Sequence, residues 1–551
     1  MNDSSSTGTW SISDGATIEH DHRPERYDNA QWRARLPCPD NPNPTFTDAP
    51  GMPERPYRLA LPDRDAKIAH VKVVYRVIVV AVALLAAFGA IYLGGSALKA
   101  TLAGLAMIVG VYVGLRHPIW LLWLLAFVAG MFPAGYLPGV HVPMVFSFAM
   151  GSLLATIIHP WEVTGFSTLE RWVLALVGVS FVSLVASGFN LIAIMEYVKW
   201  TTATLLIIVL LRLPRDQLRR FGQVYVVSAT AASLLAIGIV FGDSGGRVLK
   251  ALSILGYGVK DNNFFVYTES GAVARLAGTF LEPNSAGIAI LVAALICAVV
   301  FDGWRRVACG AILLLALALT LSRASLFAVV VGVVLMLVFA SLSARQRMAI
   351  VGVFFLGFCV AIAVPKIRNR IFSSFGSQDA GSNARLDALK DFPGYMGGKW
   401  VFGRGWGLIE FKDPSKSIAT NFVANAPLLA TYRGGVIVAT VFVLTFLYAS
   451  YLAYQCLRTT HWNLAFYGGG FIGFFFLTMQ LDIGTVTIPA TVAALSLLVT
   501  FLKYTHELAM DLDDVGRGRP GPVSPPLPRP APRTPVVDIV PPRVPAHARA
   551  Q

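Results

Sequence analysis

Charge is scarce in this chain. Asp, Glu, Lys and Arg make up 14% of its 551 residues, against 55% hydrophobic residues, and the mean hydropathy is +0.62. That excludes an ordinary soluble enzyme, in which roughly a quarter of the residues are charged. Cysteine is sparse as well: Cys38, Cys297, Cys309, Cys359 and Cys456 form no CxxC pair, and none falls in a segment expected to be exported. Structural disulfides and a thiolate metal site are therefore not expected. The sequence also lacks a Walker loop, a GxGxxG after a strand, an HExxH and a GxSxG. ATP-driven, dinucleotide and familiar hydrolase chemistries lose support accordingly. No DxD-like pair lies in an exported loop, which argues against a metal-held nucleotide-sugar. No metal and no cofactor are expected.

Apolar runs are what the chain has in quantity. They lie near 75–95, 99–115, 118–136, 142–158, 172–190, 192–212 and 222–241, and again near 283–301, 307–321, 324–340, 348–365, 425–455, 463–481 and 484–503. Crossing a bilayer takes about 20 residues. The expected fold is all-α, a polytopic transmembrane helix bundle of about 12–14 spans with one large extracytoplasmic loop. The net charge of +14 does not mark a nucleic-acid partner, because Lys and Arg sit in short loops and no basic face carries interleaved aromatics. Arg116–His117, LPRDQLRR (213–220), DGWRR (302–306) and SARQR (343–347) alternate with loops poorer in these residues. Read as cytoplasmic, they put both chain ends in the cytoplasm of a multi-pass inner (plasma) membrane protein and turn 242–282 and 366–424 outward. Residues 1–70 are polar and read as a disordered tail, 71–505 as the transmembrane domain, and 506–551 as a Pro-rich tail of polyproline II type. No cleavable signal is visible, so the first apolar run is expected to act as an internal anchor.

Charges beside these runs mark a site, because charge near lipid is costly. Pro283 suits a first helical turn with Glu282 in the capping position before it. A helix start with Arg275 upstream suits a phosphate group, with Asn284 as a second contact and Glu282 orienting Arg275 or accepting a proton. The bland alternative is simple capping, with Arg275 at lipid headgroups. In LTLSRAS (319–325) a tight hairpin puts Arg323 at the same outer edge and Ser322 in a capping position; snorkelling is the rival account. The loop 366–424 adds a short amphipathic helix, NARLDALKDF (383–392), with Arg385 and Asp387. It also adds VFGRGWGLIEF (401–411) with Arg404 and Trp406, and NFVANAPLLATYRGG (421–435) with Asn425 and Arg433. Trp406 is read either as a sugar-stacking ring or as part of an interfacial aromatic belt. Glu196 and Lys199 are one turn apart and expected to pair inside the bundle, while His141 and Asp482 lie near the outer surface without an evident partner.

The pattern R-x-x-G-T-F-x-x-P-N from Arg275 to Asn284, followed by T-L-S-R-A from Thr320 to Ala324, resembles the O-antigen ligase/polymerase family. The turn Gly403–Gly405 and N-A-P-L-L leading into a Gly-Gly helix extend the likeness, which covers roughly residues 190–500. The resemblance implies an integral-membrane glycosyltransferase that moves a glycan from a polyprenyl-pyrophosphate donor to a sugar, lipid or protein hydroxyl on the outer face. Arg275 and Arg323 would hold the donor pyrophosphate and neutralise it as it leaves, without a metal. Glu282 would be the catalytic carboxylate, and Asn284, Arg385, Arg404, Trp406, Asn425 and Arg433 would bind substrate. Family ligases tend to carry a histidine just before the Asn that opens the span after the large loop; here that position is Ala424. The departure favours a polymerase, or a transferase using another group such as Glu282. A transporter or flippase of lipid-linked sugars or anions is the alternative, though its charges would be expected near the bilayer midplane.

Overall fold

The computed structural model describes residues 116–137, 142–159, 165–188, 190–242, 247–257, 265–268, 271–280, 282–363, 368, 389–406, 425–478 and 489–516, with isolated positions 104, 108 and 112. The expected span at 75–95, nearly all of the span at 99–115, the N-terminal tail and residues 517–551 lie outside these residues, as do Arg385, Asp387, His141 and Asp482. Residues 506–516, expected to belong to the Pro-rich tail, are helical instead. The described chain is almost entirely helical. Its helices are α1 (Pro118–Met131), α2 (Met144–Ile158), α3 (Thr168–Ser187), α4 (Leu191–Leu211), α5 (Arg215–Gly242) and short α6 (Arg247–Ala251). They continue with α7 (Pro283–Val300), α8 (Gly303–Leu319), α9 (Arg323–Phe339), α10 (Ala344–Ala363), α11 (Ala426–Leu457), α12 (Trp462–Thr478) and α13 (Pro489–Gly516). Among the described residues, α3, α4, α5, α7 and α11 are long and apolar enough to cross a membrane. This is the make-up of a membrane-embedded helical bundle.

Helix limits follow local chemistry. Helix α3 begins four residues before its apolar run because Ser167 and Glu170 form a reciprocal capping box. Asn190 caps α4 through the Ala193 amide at 2.7 Å, and Asn425 caps α11 through the Leu428 amide at 3.1 Å. Helix α5 starts at Arg215, ahead of the apolar run at 222, because Pro214 precedes a turn of good helix formers in RDQLRR. One departure from the all-α expectation is a small hairpin between α6 and α7. Its strands, β1 (Phe265–Thr268) and β2 (Gly271–Ala274), pair antiparallel with Phe265 opposite Ala274.

The bundle is built around α7. Every residue of that helix except Asn284 is buried, and α5, α8, α9, α12 and α13 all pack against it. A helix apolar all round belongs in such a position. Gly287 of α7 makes room for Ser322 and Ser325, since a Cβ there would stand 2.6 Å from Ser325 Oγ and 2.9 Å from Ser322 Cβ. The starts of α7 and α9 therefore lie side by side. The end of α5 joins them, with Ala236 against Gly278. At the far end Val300 of α7 meets Phe501 of α13 around Gly222 of α5. Helices α7 and α9 thus run parallel and α5 antiparallel to them, which gives the bundle two distinct ends.

The basic end carries LPRDQLRR, DGWRR and SARQR. Asp302, the residue before α8, takes Arg219 of α5 and Arg306 of α8 itself, each at 2.6 Å. Arg215 pairs with Asp511 and, at 3.4 Å, with Glu507. Arg212 bonds Glu170 at 2.8 Å and lies over the Phe166 ring. The opposite end holds the residues singled out for chemistry.

Candidate functional site

Two clusters occupy that opposite end. In the first, the chain entering α7 runs past the α8–α9 hairpin. The Leu276 amide donates to Leu319 O at 3.1 Å, and Arg275 Nε donates to Thr320 O at 3.0 Å. Arg275 Nη2 donates to Asn284 Oδ1 at 2.9 Å. Asn284 Nδ2 in turn lies 3.5 Å from Glu282 Oε1, and Ser285 Oγ donates to Glu282 Oε2 at 3.3 Å. Arg275, Glu282 and Asn284 are each half-buried. The guanidinium is thus fixed from two sides, by the C-terminal carbonyl of α8 and by the first turn of α7. Carbonyls at a helix end favour a cation.

Arg323 is the first residue of α9, three residues from the carbonyl that holds Arg275, and is itself half-buried. Ser322 takes the capping position, but its hydroxyl makes no capping bond. It lies instead 3.3 Å from Ser325 Oγ, which corrects the expectation that it caps α9. Glu282 likewise precedes α7 without capping it, because its carboxylate is turned to Asn284 and Ser285. Asn284 contacts Arg275, so it acts first on the guanidinium. The hairpin contains one unusual backbone: Leu321 has φ 52°, and no other non-glycine residue among those described has a positive φ.

The second cluster is organised by a break in α11. Gly435 has φ 79° and ψ 179°, a conformation open essentially to glycine alone. The loop before α11 fills the break. Arg404 N donates to Tyr432 O at 2.7 Å, Gly405 N to Arg433 O at 3.2 Å, and Val436 N to Trp400 O at 2.8 Å. The approach leaves no room for a side chain: a Cβ on Gly435 would stand 1.9 Å from Val401 O, and one on Gly403 2.7 Å from Arg433 O. Ser183 of α3 adds a hydrogen bond to Phe402 O at 2.8 Å.

This docking settles several expectations. Trp406 is 2% exposed, with its ring 4.8 Å from Trp200 and 5.5 Å from Tyr197. Its faces are covered by protein, so the sugar-stacking role is corrected: Trp406 is a packing residue. The belt account fails for the same reason. Its indole Nε1 finds no hydrogen-bond partner among the described residues. Arg433 is 5% exposed and its guanidinium lies 5.4 Å from the Trp406 ring centre, a cation–π platform. Asn425 caps α11 through its Oδ1. Arg404 is half-buried and positions the loop through its backbone amide. Residues 389–396 are helical, the C-terminal part of the expected amphipathic helix and its continuation. Glu196 and Lys199 pair as expected, within α4.

The clusters sit on different helices. The first is built on α7, α8 and α9; the second on α3, α4 and α11, with α12 and α13 packing against both α7 and α11. Sequence reasoning misses the loop-to-break docking, although the Gly434–Gly435 pair is a visible signal of a helix interruption. It also misses Thr320, whose contribution is a carbonyl that any residue would supply. Among the described residues, no group of three His, Cys, Asp or Glu side chains is placed to hold a metal ion.

Fold and site define a class: an α-helical bundle of membrane type with Arg275 fixed where two helix starts meet. No family model matches the chain, and no curated protein matches it in sequence.

Proposed function

We propose that the protein is an integral-membrane glycosyltransferase of the O-antigen ligase/polymerase type, working on a polyprenyl-pyrophosphate-linked glycan at the outer face of the inner membrane. The observation that carries this reading is Arg275, held between Thr320 O and Asn284 Oδ1 where α7 and α9 begin. The starts of α7 and α9 lie side by side there, with Arg275 and Arg323 beside them in the chain, and two positive helix ends are a setting that suits a diphosphate. Arg323, at the first position of α9, supplies the second cation.

In the reaction, the bond from the sugar's anomeric carbon to the pyrophosphate oxygen breaks. An acceptor hydroxyl oxygen forms the new bond from the opposite face, inverting the centre. The negative charge that develops on the departing pyrophosphate is met by Arg275 and Arg323, which are in place before the reaction. The acceptor's proton passes to a carboxylate, for which Glu282 is the candidate. Because Asn284 links Glu282 to Arg275, base and leaving-group clamp are held by one set of hydrogen bonds. With Ala424 in place of the ligases' histidine, chain polymerisation is favoured over ligation to lipid. The remaining finer features of the reading are about 12–14 spans, the extracytoplasmic setting of 366–424 and cytoplasmic termini.

The test is reconstitution of the full chain in liposomes with a polyprenyl-pyrophosphate oligosaccharide. Products longer than the donor glycan are expected. Arg323→Ala should abolish elongation while the protein still inserts in the membrane and stays monodisperse. Normal product lengths in that variant, or a glycan that only crosses the bilayer unchanged, would overturn the reading.

A further inference from the structure

We propose that Leu321 is a positioning residue for the arginine clamp, acting through its left-handed backbone and not through its side chain. The inference rests on the functional reading above and extends it to the hairpin that holds the clamp.

Thr320 is the C-cap of α8, with φ −65° and ψ −22°, and Leu321 follows at φ 52°. A left-handed residue just past a helix end turns the chain out of the helix, and glycine is the usual occupant because it has no Cβ to clash. Here a leucine takes that place while 3% exposed. Its conformation is enforced by neighbours: Leu321 N donates to Ala318 O at 3.2 Å, Thr320 Oγ1 to Leu317 O at 2.7 Å, and Ser322 N to Thr320 Oγ1 at 3.2 Å. A strained backbone persists only where surrounding structure over-determines it, and such residues gather at functional sites.

The turn has two consequences one residue apart. Before it, the last carbonyls of α8, which have no partner within their own helix, face the incoming strand of chain: Leu319 O receives the Leu276 amide and Thr320 O receives Arg275 Nε. After it, α9 starts at Arg323, with Ser322 and Ser325 against Gly287 of α7. Were Leu321 right-handed, α8 would continue and carry Thr320 O back into helical register. Arg275 would lose the Thr320 O acceptor, keeping Asn284 Oδ1, and Arg323 would leave the start of α7. One dihedral therefore places both guanidinium groups.

The test separates backbone from side chain in the full reconstituted protein. Inorganic pyrophosphate binding is measured by calorimetry, and elongation is measured with the polyprenyl-pyrophosphate oligosaccharide. Leu321→Gly keeps the left-handed conformation and should retain most of the affinity and turnover. Leu321→Val, whose β-branch disfavours that conformation, should lose about 10²-fold in turnover and weaken pyrophosphate binding. Placed on Arg275→Ala, the same Val change should cost less than it does in the wild type, because part of its effect runs through Arg275 and the remainder through Arg323. If the Val variant does not fold, Leu321→Ala is compared with Leu321→Gly, and the Ala variant should bind pyrophosphate the more weakly of the two. Equal losses in Gly and Val, a Gly variant inferior to Ala, or an unimpaired Val variant would each overturn the proposal while leaving the functional reading intact. A wild-type protein that neither binds pyrophosphate nor elongates the glycan removes that reading, and this inference with it.

Discussion

Arginines stand at both ends of this bundle, and the two ends use them differently. At the basic end the guanidinium groups meet carboxylates: Arg219 and Arg306 share Asp302, Arg215 reaches Glu507 and Asp511, and Arg212 bonds Glu170. At the other end the hydrogen bonds that fix Arg275 come from a main-chain carbonyl and a carboxamide, and Arg433 lies over an indole ring. Carboxylate pairs at a helix-loop boundary fasten neighbouring helices. Dipoles and ring faces orient a guanidinium in a chosen direction. Carbonyls and rings hold guanidinium groups at both ends, since Arg219 and Arg306 also bond main-chain carbonyls and Arg212 and Arg306 lie over rings. What marks the basic end is that carboxylates bridge its arginines across helices.

The sharpest way to break this comparison is a charge-conserving change at each end. Arg275→Lys keeps the charge but loses the planar fork that spans Thr320 O and Asn284 Oδ1. Elongation in liposomes should fall by about 10²-fold or more, with insertion unaffected. Arg219→Lys at the basic end should elongate normally. A normal rate in the Arg275→Lys variant would show that bare charge suffices and that the fixed geometry is incidental.

Next in size is the helix break. Gly435→Ala puts a Cβ against Val401 O in a conformation that alanine avoids. The cost should be about 3 kcal/mol or more, and the loop at 400–406 should come away from α11. Limited proteolysis in detergent should then cut near Phe402, which is protected in the wild type by Ser183 and by the docked backbone. Equal protection in the Gly435→Ala variant would show that the loop is held by Trp406 and its aromatic neighbours instead.

These contrasts also divide what the amino-acid sequence reveals from what packing alone decides. Helix positions are legible, because apolar runs bounded by Pro, Ser and charged turns have physical edges: the run at 283–301 becomes α7 at Pro283–Val300, and the run at 324–340 becomes α9 at Arg323–Phe339. The Ser167–Glu170 capping box is present in the sequence and accounts for the early start of α3. Arg275, Glu282 and Asn284 are legible as a group, since they are close in sequence and flank a helix start. Trp406 is not legible as a core residue. Its burial depends on Trp200 and Tyr197, some two hundred positions away, and a Gly-Trp-Gly string reads equally well as a surface loop. Leu321 is illegible for a related reason: leucine carries no left-handed signal, and the turn is imposed by the contacts around it.

Smaller effects belong to the basic end. Asp302 is 71% exposed although it bridges two arginines. Asp302→Asn should therefore change stability by no more than about 1 kcal/mol, and by less in high salt. Arg306 keeps its bond to Phe301 O at 2.6 Å and its place over Trp462, and Arg219 keeps Val300 O at 3.2 Å. Elongation should be unchanged. A large loss of thermal stability would mean that Asp302 organises this end more than its exposure allows.

The smallest expected effect is a pH dependence on the polar extension of α13, beyond its apolar stretch. His506 Nε2 lies 2.5 Å from Gln455 Oε1, with Lys503 and Glu507 beside it. Burial lowers the imidazole's pKa below its ordinary 6.5, Lys503 lowers it further, and Glu507 opposes them. Unfolded chains therefore take up this proton first as the pH falls. The histidine's contribution is complete above 6.5 and is lost as the pH drops through its folded-state value. Thermal unfolding at about pH 7.5 and about pH 5 should show a larger loss in the wild type than in His506→Gln. Because Glu507 also pairs with Arg215 and Lys503, a Glu507→Gln control is needed. If it flattens the profile and His506→Gln does not, the carboxylate network sets the acid sensitivity of this end, and its ion pairs matter more than the buried ring.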